Sequence, residues 1–216
     1  MSFDTSFDIK NIICLYFSDL KDAINLYNLN KDHQNNIIIT NLYDIPQKYL
    51  QRLDQNIIEQ NKYKYVEKLC ASLNEKINNV SHMKNTLKIL NCSYGCGINQ
   101  NGISELNLIE LYASNNEKIK NVSHMKNTLK ILNCSYGCGI DQNGISELNL
   151  IKLYTNNNEK IINVNHMKKT LKILNCAGYY SGIDQNGISQ LNLIELDATC
   201  NNKIKTVNHT KETLKY

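Results

Sequence analysis

The chain has 216 residues, 42% of them hydrophobic, enough for one large domain or two small ones with a sizeable core. Its net charge is +4, with residues 1–65 near neutral and the positive excess in 66–216, a balance too mild to call for nucleic acid by itself. No apolar run approaches the roughly 18 residues of a membrane span, and the acidic opening MSFDTSFD lacks the apolar stretch of a signal peptide. The eight cysteines are therefore expected to be reduced, in a cytoplasmic or nuclear setting.

Residues 1–33 read as a small helical module. Ile9, Ile12, Ile13 and Tyr16 fall on one face of a short helix over Asp8–Phe17. Ser18 suits the N-cap of a second helix, and Asp19 and Asp22 suit the positive end of its dipole. Leu20, Ala23, Ile24, Tyr27 and Leu29 give that helix an apolar stripe. A helical cap on the following solenoid is one reading of this pattern.

The other reading comes from a resemblance. The segment IICLYFSDLKDAINLYNLNK, Ile12–Lys31, is similar to the F-box pattern if one residue is inserted near Asp19. Ile13, Phe17, Asp22, Leu26, Leu29 and Lys31 then take matching places. The usual Leu-Pro opening is Ser6-Phe7 here, and the late tryptophan falls at His33. The resemblance implies binding to a Skp1-type adaptor of a ubiquitin ligase through Ile13, Phe17, Leu20, Leu26 and Leu29.

Residues 34–65 form a linker or N-terminal cap of the solenoid. Ile37–Thr40 suits a strand, and Pro46 suits the first turn of a helix, where its missing N–H is harmless. Leu50, Leu53, Ile57 and Ile58 continue the apolar spacing, so this segment is expected to cover the open face of the first repeat.

From Val66 the text repeats. His82, His124, His166 and His209 recur at intervals of 42, 42 and 43 residues, the last lengthened near Tyr179. Each long copy divides into two units, one type starting at Val66, Leu108, Leu150 and Leu193, the other at Leu87, Leu129 and Leu171. Seven units of 21–22 residues result, with an eighth cut short at Tyr216. Segments 87–128 and 129–170 differ at seven of 42 positions, which marks a recent duplication. In Leu108–Met125 the first half alternates as a strand does and the second half steps by three, as a 3-10 or irregular return does. The first, fourth and sixth places of each unit point inward on this pattern. Asn74, Asn116, Asn158 and Asn201 are expected to form a ladder at the bend. Asn101-Gly102, Asn143-Gly144 and Asn186-Gly187 are read as turn dipeptides, since both residue types tolerate positive φ. One unit cannot bury its own leucines, so units must stack into a continuous core.

This is the leucine-rich-repeat pattern, predicting a curved parallel sheet with 3-10 or short helical returns. The text LKILNC…GIDQNGISELNLIELYASNNEKIKNVSHMKNT resembles the leucine-rich-repeat proteins of giant, mimivirus-type DNA viruses, some of which carry F-box-like N-termini. Together the two resemblances imply a substrate receptor in host ubiquitination.

No chemistry-bearing constellation rises above the repeat. Cys92, Cys134 and Cys176 fall at the inward sixth place, where a small apolar side chain belongs. Cys96 and Cys138 have no counterpart in Tyr179–Ser181, and their spacing is too loose for a structural zinc site. Asp141–Gly144 with Glu147 reads as a turn, lacking the spaced oxygens of a calcium loop. No catalytic residue, cofactor or metal is expected. Lysine columns at Lys88, Lys130, Lys172 and at Lys84, Lys126, Lys168, Lys211 read as a solvated face, with weak nucleic-acid binding the alternative.

What remains is the concave sheet. Alternation turns the third, fifth and seventh places of each strand outward. The candidate partner-binding residues are Ile89, Asn91, Glu110, Tyr112, Ile131, Asn133, Lys152, Tyr154, Ile173 and Asn175. Isoleucines and tyrosines in a rigid row suit binding of an unidentified protein, because aromatic anchors dominate interface energetics. A recently duplicated solenoid with no dedicated ligand is the other reading. At the C-terminus, Thr210 replaces the recurring methionine and Leu214–Tyr216 is short, so residues from about 193 onward are expected to fray or self-associate.

Overall fold

The computed structural model describes residues 39–206. Eight strands form one parallel sheet in strict chain order. They are β1 Asn41–Leu42, β2 Lys68–Cys70, β3 Ile89–Asn91, β4 Glu110–Tyr112, β5 Ile131–Asn133, β6 Lys152–Tyr154, β7 Ile173–Asn175 and β8 Glu195–Asp197. Parallel neighbours need a crossover between them. Here the crossover is a compact return of short helical pieces: α1 Gln47–Leu50, α2 Gln55–Ile58, α3 Gln100–Ile103, α4 Gln142–Ile145 and several 3-10 turns. The described chain is thus a stack of strand–return coils, a solenoid-like repeat.

The register puts one leucine of each strand in a single column, from Leu42 and Leu69 through Leu90, Leu111, Leu132, Leu153 and Leu174 to Leu196. Leu196 is half-buried and the others are buried. Beside this column lie the first-place residues Val66 to Leu193 and the sixth-place Ala71, Cys92, Ala113, Cys134 and Cys176, all in one continuous core. Met83, Met125 and Met167 close the core from the return side. Leu193 is buried and Ala198 half-buried, while Thr210 lies outside the described residues.

Two amide ladders join the coils. Asn74, Asn116, Asn158 and Asn201 are buried, and each Nδ2 donates to two carbonyls of the preceding coil. Each Oδ1 accepts from the backbone N–H two residues on. These asparagines do not bond one another, because a coil of the other type lies between successive members. The second ladder was not foreseen. Gln55, Gln100, Gln142 and Gln185 each donate Nε2 to a carbonyl of the following coil and accept two backbone N–H groups there. Asp54, Asn99, Asp141 and Asp184 just before them cap the return by accepting backbone N–H groups.

The Asn-Gly pairs need a different account from the one the sequence suggests. Gly102 and Gly144 lie inside α3 and α4, Gly187 in a 3-10 turn, and none has positive φ. A Cβ at Gly102, Gly144 or Gly187 would run into a carbonyl oxygen of the preceding coil. Close stacking, not turn conformation, requires glycine there. The left-handed positions sit elsewhere, at the eighth place of every unit, Leu73, Tyr94, Asn115, Tyr136, Asn157, Gly178 and Cys200, and at Gly95.

Cys96 and Cys138 do have a counterpart in the lengthened copy. Lys118 Nζ donates to Cys96 O, Lys160 Nζ to Cys138 O, and Lys203 Nζ to Ser181 O, so Ser181 fills the same place. The extra residue is taken up outside the core, where Tyr179 and Tyr180 are 70% and 73% exposed, and the sheet register is kept. Among the described residues, Ser181 Oγ is the one buried side-chain polar atom without a partner. Ser181→Ala is therefore expected to raise stability by about 1–2 kcal/mol, measured by urea unfolding; an unchanged or lower midpoint contradicts this account.

Candidate interaction face

Every candidate residue at the third and fifth places lies in a strand and faces the same side of the sheet, opposite the buried leucines. Ile89, Glu110, Ile131, Lys152 and Ile173 follow one another along one row. Asn91, Tyr112, Asn133, Tyr154 and Asn175 follow one another along the next. All ten are half-buried, packed side by side with their outer surfaces open. The seventh-place residues differ from expectation: Ser93, Ser114 and Ser135 are buried. Ser114 Oγ donates to Asn133 Oδ1 at 2.7 Å, so this serine reaches the face but is covered by its larger neighbours.

The fifth row is held by its own backbone. Asn91, Asn133 and Asn175 accept at Oδ1 from the N–H of Ser93, Ser135 and Ala177, each at 3.1 Å. With the oxygen occupied, the amide NH2 points along the row. That of Asn175 donates to Asp197 Oδ2 at 2.8 Å. Tyr112 donates its hydroxyl to Glu110 Oε2 at 2.8 Å. Burial and then the Glu110 carboxylate push that hydroxyl's pKa upward, so it stays a neutral donor. The Asp197 carboxyl is held below its ordinary value, chiefly by the hydrogen bond from Thr199 N–H. Side chains fixed this way lose little freedom when a partner docks.

Tyr43 also belongs to this face and was missed. It follows Leu42 in β1, and its ring centroid lies 6.4 Å from that of Tyr112 at 55°. The triplet Asn41-Leu42-Tyr43 matches Glu110-Leu111-Tyr112 and Lys152-Leu153-Tyr154, a signal legible in the sequence. At the other end, a shallow depression of about 400 Å³ is lined by Tyr154, Ile173, Asn175, Glu195 and Asp197 over Leu174 and Leu196.

The remaining repeated polar residues serve the stack. His82, His124 and His166 place Nε2 within 3.0–3.2 Å of Ile58 O, Ile103 O and Ile145 O. Lys84 and Lys126 pair with Glu105 and Glu147, so a carboxylate counters two of the three described lysines in this column, and Lys168 donates to the neutral Gln190. Among the described residues no group of three or more His, Cys, Asp or Glu could hold a metal ion. Burial pushes the Cys96 and Cys138 thiols up to about 11 and Cys176 to about 12, with Cys92 and Cys134 also well raised. A maleimide is expected to label exposed Cys200 in the native protein and to spare Cys92, Cys134 and Cys176 until urea unfolds the coils. Peptide mass spectrometry reads this; native labelling of Cys134 contradicts it.

Ile13, Phe17, Leu20, Leu26 and Leu29 lie outside the described residues. Among the described residues no helix is long and apolar enough to cross a membrane. Compared with known protein families and with curated proteins, the chain matches none.

Proposed function

We propose that this chain is a non-enzymatic interaction protein of the leucine-rich-repeat type, whose sheet face binds a protein. The observation that supports this most is the fifth row. Tyr43, Tyr112 and Tyr154 stand among asparagines whose oxygens are tied to their own backbone. Tyrosine offers large contact area with few torsions to freeze, and pre-ordered neighbours reduce the entropy lost on docking.

The F-box-like segment extends the proposal. With a Skp1-type adaptor held by Ile13, Phe17, Leu20, Leu26 and Leu29, the face would present a substrate to an SCF-type ubiquitin ligase. The resemblance of the repeat text to proteins of giant DNA viruses supports extending the proposal to action in host cytoplasm or nucleus.

The test is affinity capture from host-cell lysate with the full chain and two variants. Tyr112→Ala/Tyr154→Ala should lose the face-bound protein, with affinity reduced about 10- to 100-fold. Leu20→Ala/Leu26→Ala should lose the adaptor and keep that protein. Recovery of the same proteins by all three chains overturns both assignments.

A further inference from the structure

The third row carries a pattern that points to a specific partner. From β2 to β8 it reads Lys68, Ile89, Glu110, Ile131, Lys152, Ile173, Glu195. Charges stand on every second strand and change sign at each step, with isoleucines between. Read from the other end, the row has the opposite sign at every charged place. A row of this kind is complementary to itself reversed.

Duplication alone does not produce this. A copied unit repeats its charge, and segments 87–128 and 129–170 differ at only seven of 42 positions. One of those seven reverses the sign, Glu110 against Lys152.

We infer that the sheet face pairs with a second copy of this chain, about a two-fold axis that runs along the strands over Ile131. This rests on the reading of the face as a protein-binding surface, on which a second copy and a captured protein compete for the same residues. The axis lays Glu110 against Lys152 of the second copy and Lys68 against its Glu195, each pair occurring twice. Ile131 meets its own counterpart, and Ile89 meets Ile173. In the fifth row the same axis sets Tyr112 against Tyr154, Asn91 against Asn175, and Asn133 against itself. An isologous contact must match its own reversed surface in this way.

The shape allows it. The returns are hydrogen-bonded coil to coil, as in Gln100 N–H to Lys118 O and Gln142 N–H to Lys160 O, both 3.2 Å. Bonds on both sides of the solenoid limit how far its coils can fan apart, so the sheet curves less than the leucine-rich-repeat pattern leads one to expect. It is also narrow: strands of three residues span about 10 Å, so the contact falls well short of the roughly 800 Å² per partner of a standard interface. Lys130, one place before β5, comes near its own counterpart at the margin and opposes the pairing. The dimer is accordingly weak, with Kd about 10–500 µM, and it loosens with salt because its ion pairs lie near water.

Sedimentation of the full chain across that concentration range tests the inference. Wild type should associate at low salt and dissociate at high salt. Glu110→Lys and Lys152→Glu each set like charges across the axis twice, and each alone should be monomeric. An equimolar mixture of the two restores both ion pairs and should associate again, as should the double variant. Circular dichroism checks that each variant is folded. Wild type that is monomeric throughout, or singles that do not complement each other, overturns the pairing. If association is absent but lysate capture still depends on Tyr112 and Tyr154, the pairing fails and the broader binding proposal stands. If capture is lost as well, both fail.

Discussion

Asn116→Ala is expected to destabilise the chain by about 3–4 kcal/mol, or to split unfolding into two steps at that coil. Asn116 is 3% exposed. Its Nδ2 donates to Cys92 O at 2.8 Å and Ile98 O at 3.1 Å, and its Oδ1 accepts Lys118 N–H at 3.0 Å. Alanine leaves two carbonyls and one N–H without partners where water does not reach, and each such group costs about 1–3 kcal/mol. Asn116→Asp should do no better, since a carboxylate cannot donate to carbonyls. The control is exposed Asn127→Lys, the residue that the next copy carries at Lys169, which should leave the urea midpoint unchanged. A loss below about 1 kcal/mol for Asn116→Ala would mean that water enters the bend.

Gly139→Ala is expected to open the seam between two coils. A Cβ there would stand 2.5 Å from both Glu117 O and Ile119 O. These are backbone oxygens, and no rotamer change removes them. In open space the same change at an ordinary φ would stabilise by about 0.4–1 kcal/mol through the unfolded chain. Overpacking of this severity costs about 3 kcal/mol or more, so the sign reverses. Because each coil touches only its neighbours, the damage should be local. Hydrogen exchange should show lost protection across 117–145 and retained protection near β2. Full protection throughout would show that the coils can part without loss.

The period of the repeat located seven of the eight strands, the inward leucines, the small sixth place and the buried asparagines. It could do so because alternation along a short strand is a local property of the chain. It set the first strand at Ile37–Thr40 rather than at Asn41–Leu42 and missed Tyr43, since the step from Leu42 to Leu69 is longer than later steps and one of its landmarks is altered. Asp54-Gln55-Asn56-Ile57-Ile58 is the coil motif Asp141-Gln142-Asn143-Gly144-Ile145 with isoleucine in place of glycine. At Gly144 a Cβ would meet the carbonyl of Lys120 in the preceding coil. At Ile57 no such coil precedes among the described residues, and the side chain fits.

What the sequence determined by itself is therefore which side chains turn inward, coil after coil. How closely the coils approach is set by contacts between them, not within any one of them. That distance is what turns Gly102 and Gly144 from turn residues into contact residues, covers Ser114, strands the hydroxyl of Ser181, and lines Lys68, Glu110, Lys152 and Glu195 into one row. Side-chain direction follows from neighbouring residues along the chain. Separation between residues about 20 positions apart follows from how backbone hydrogen bonds and packed side chains settle across coils, and no single coil contains that information.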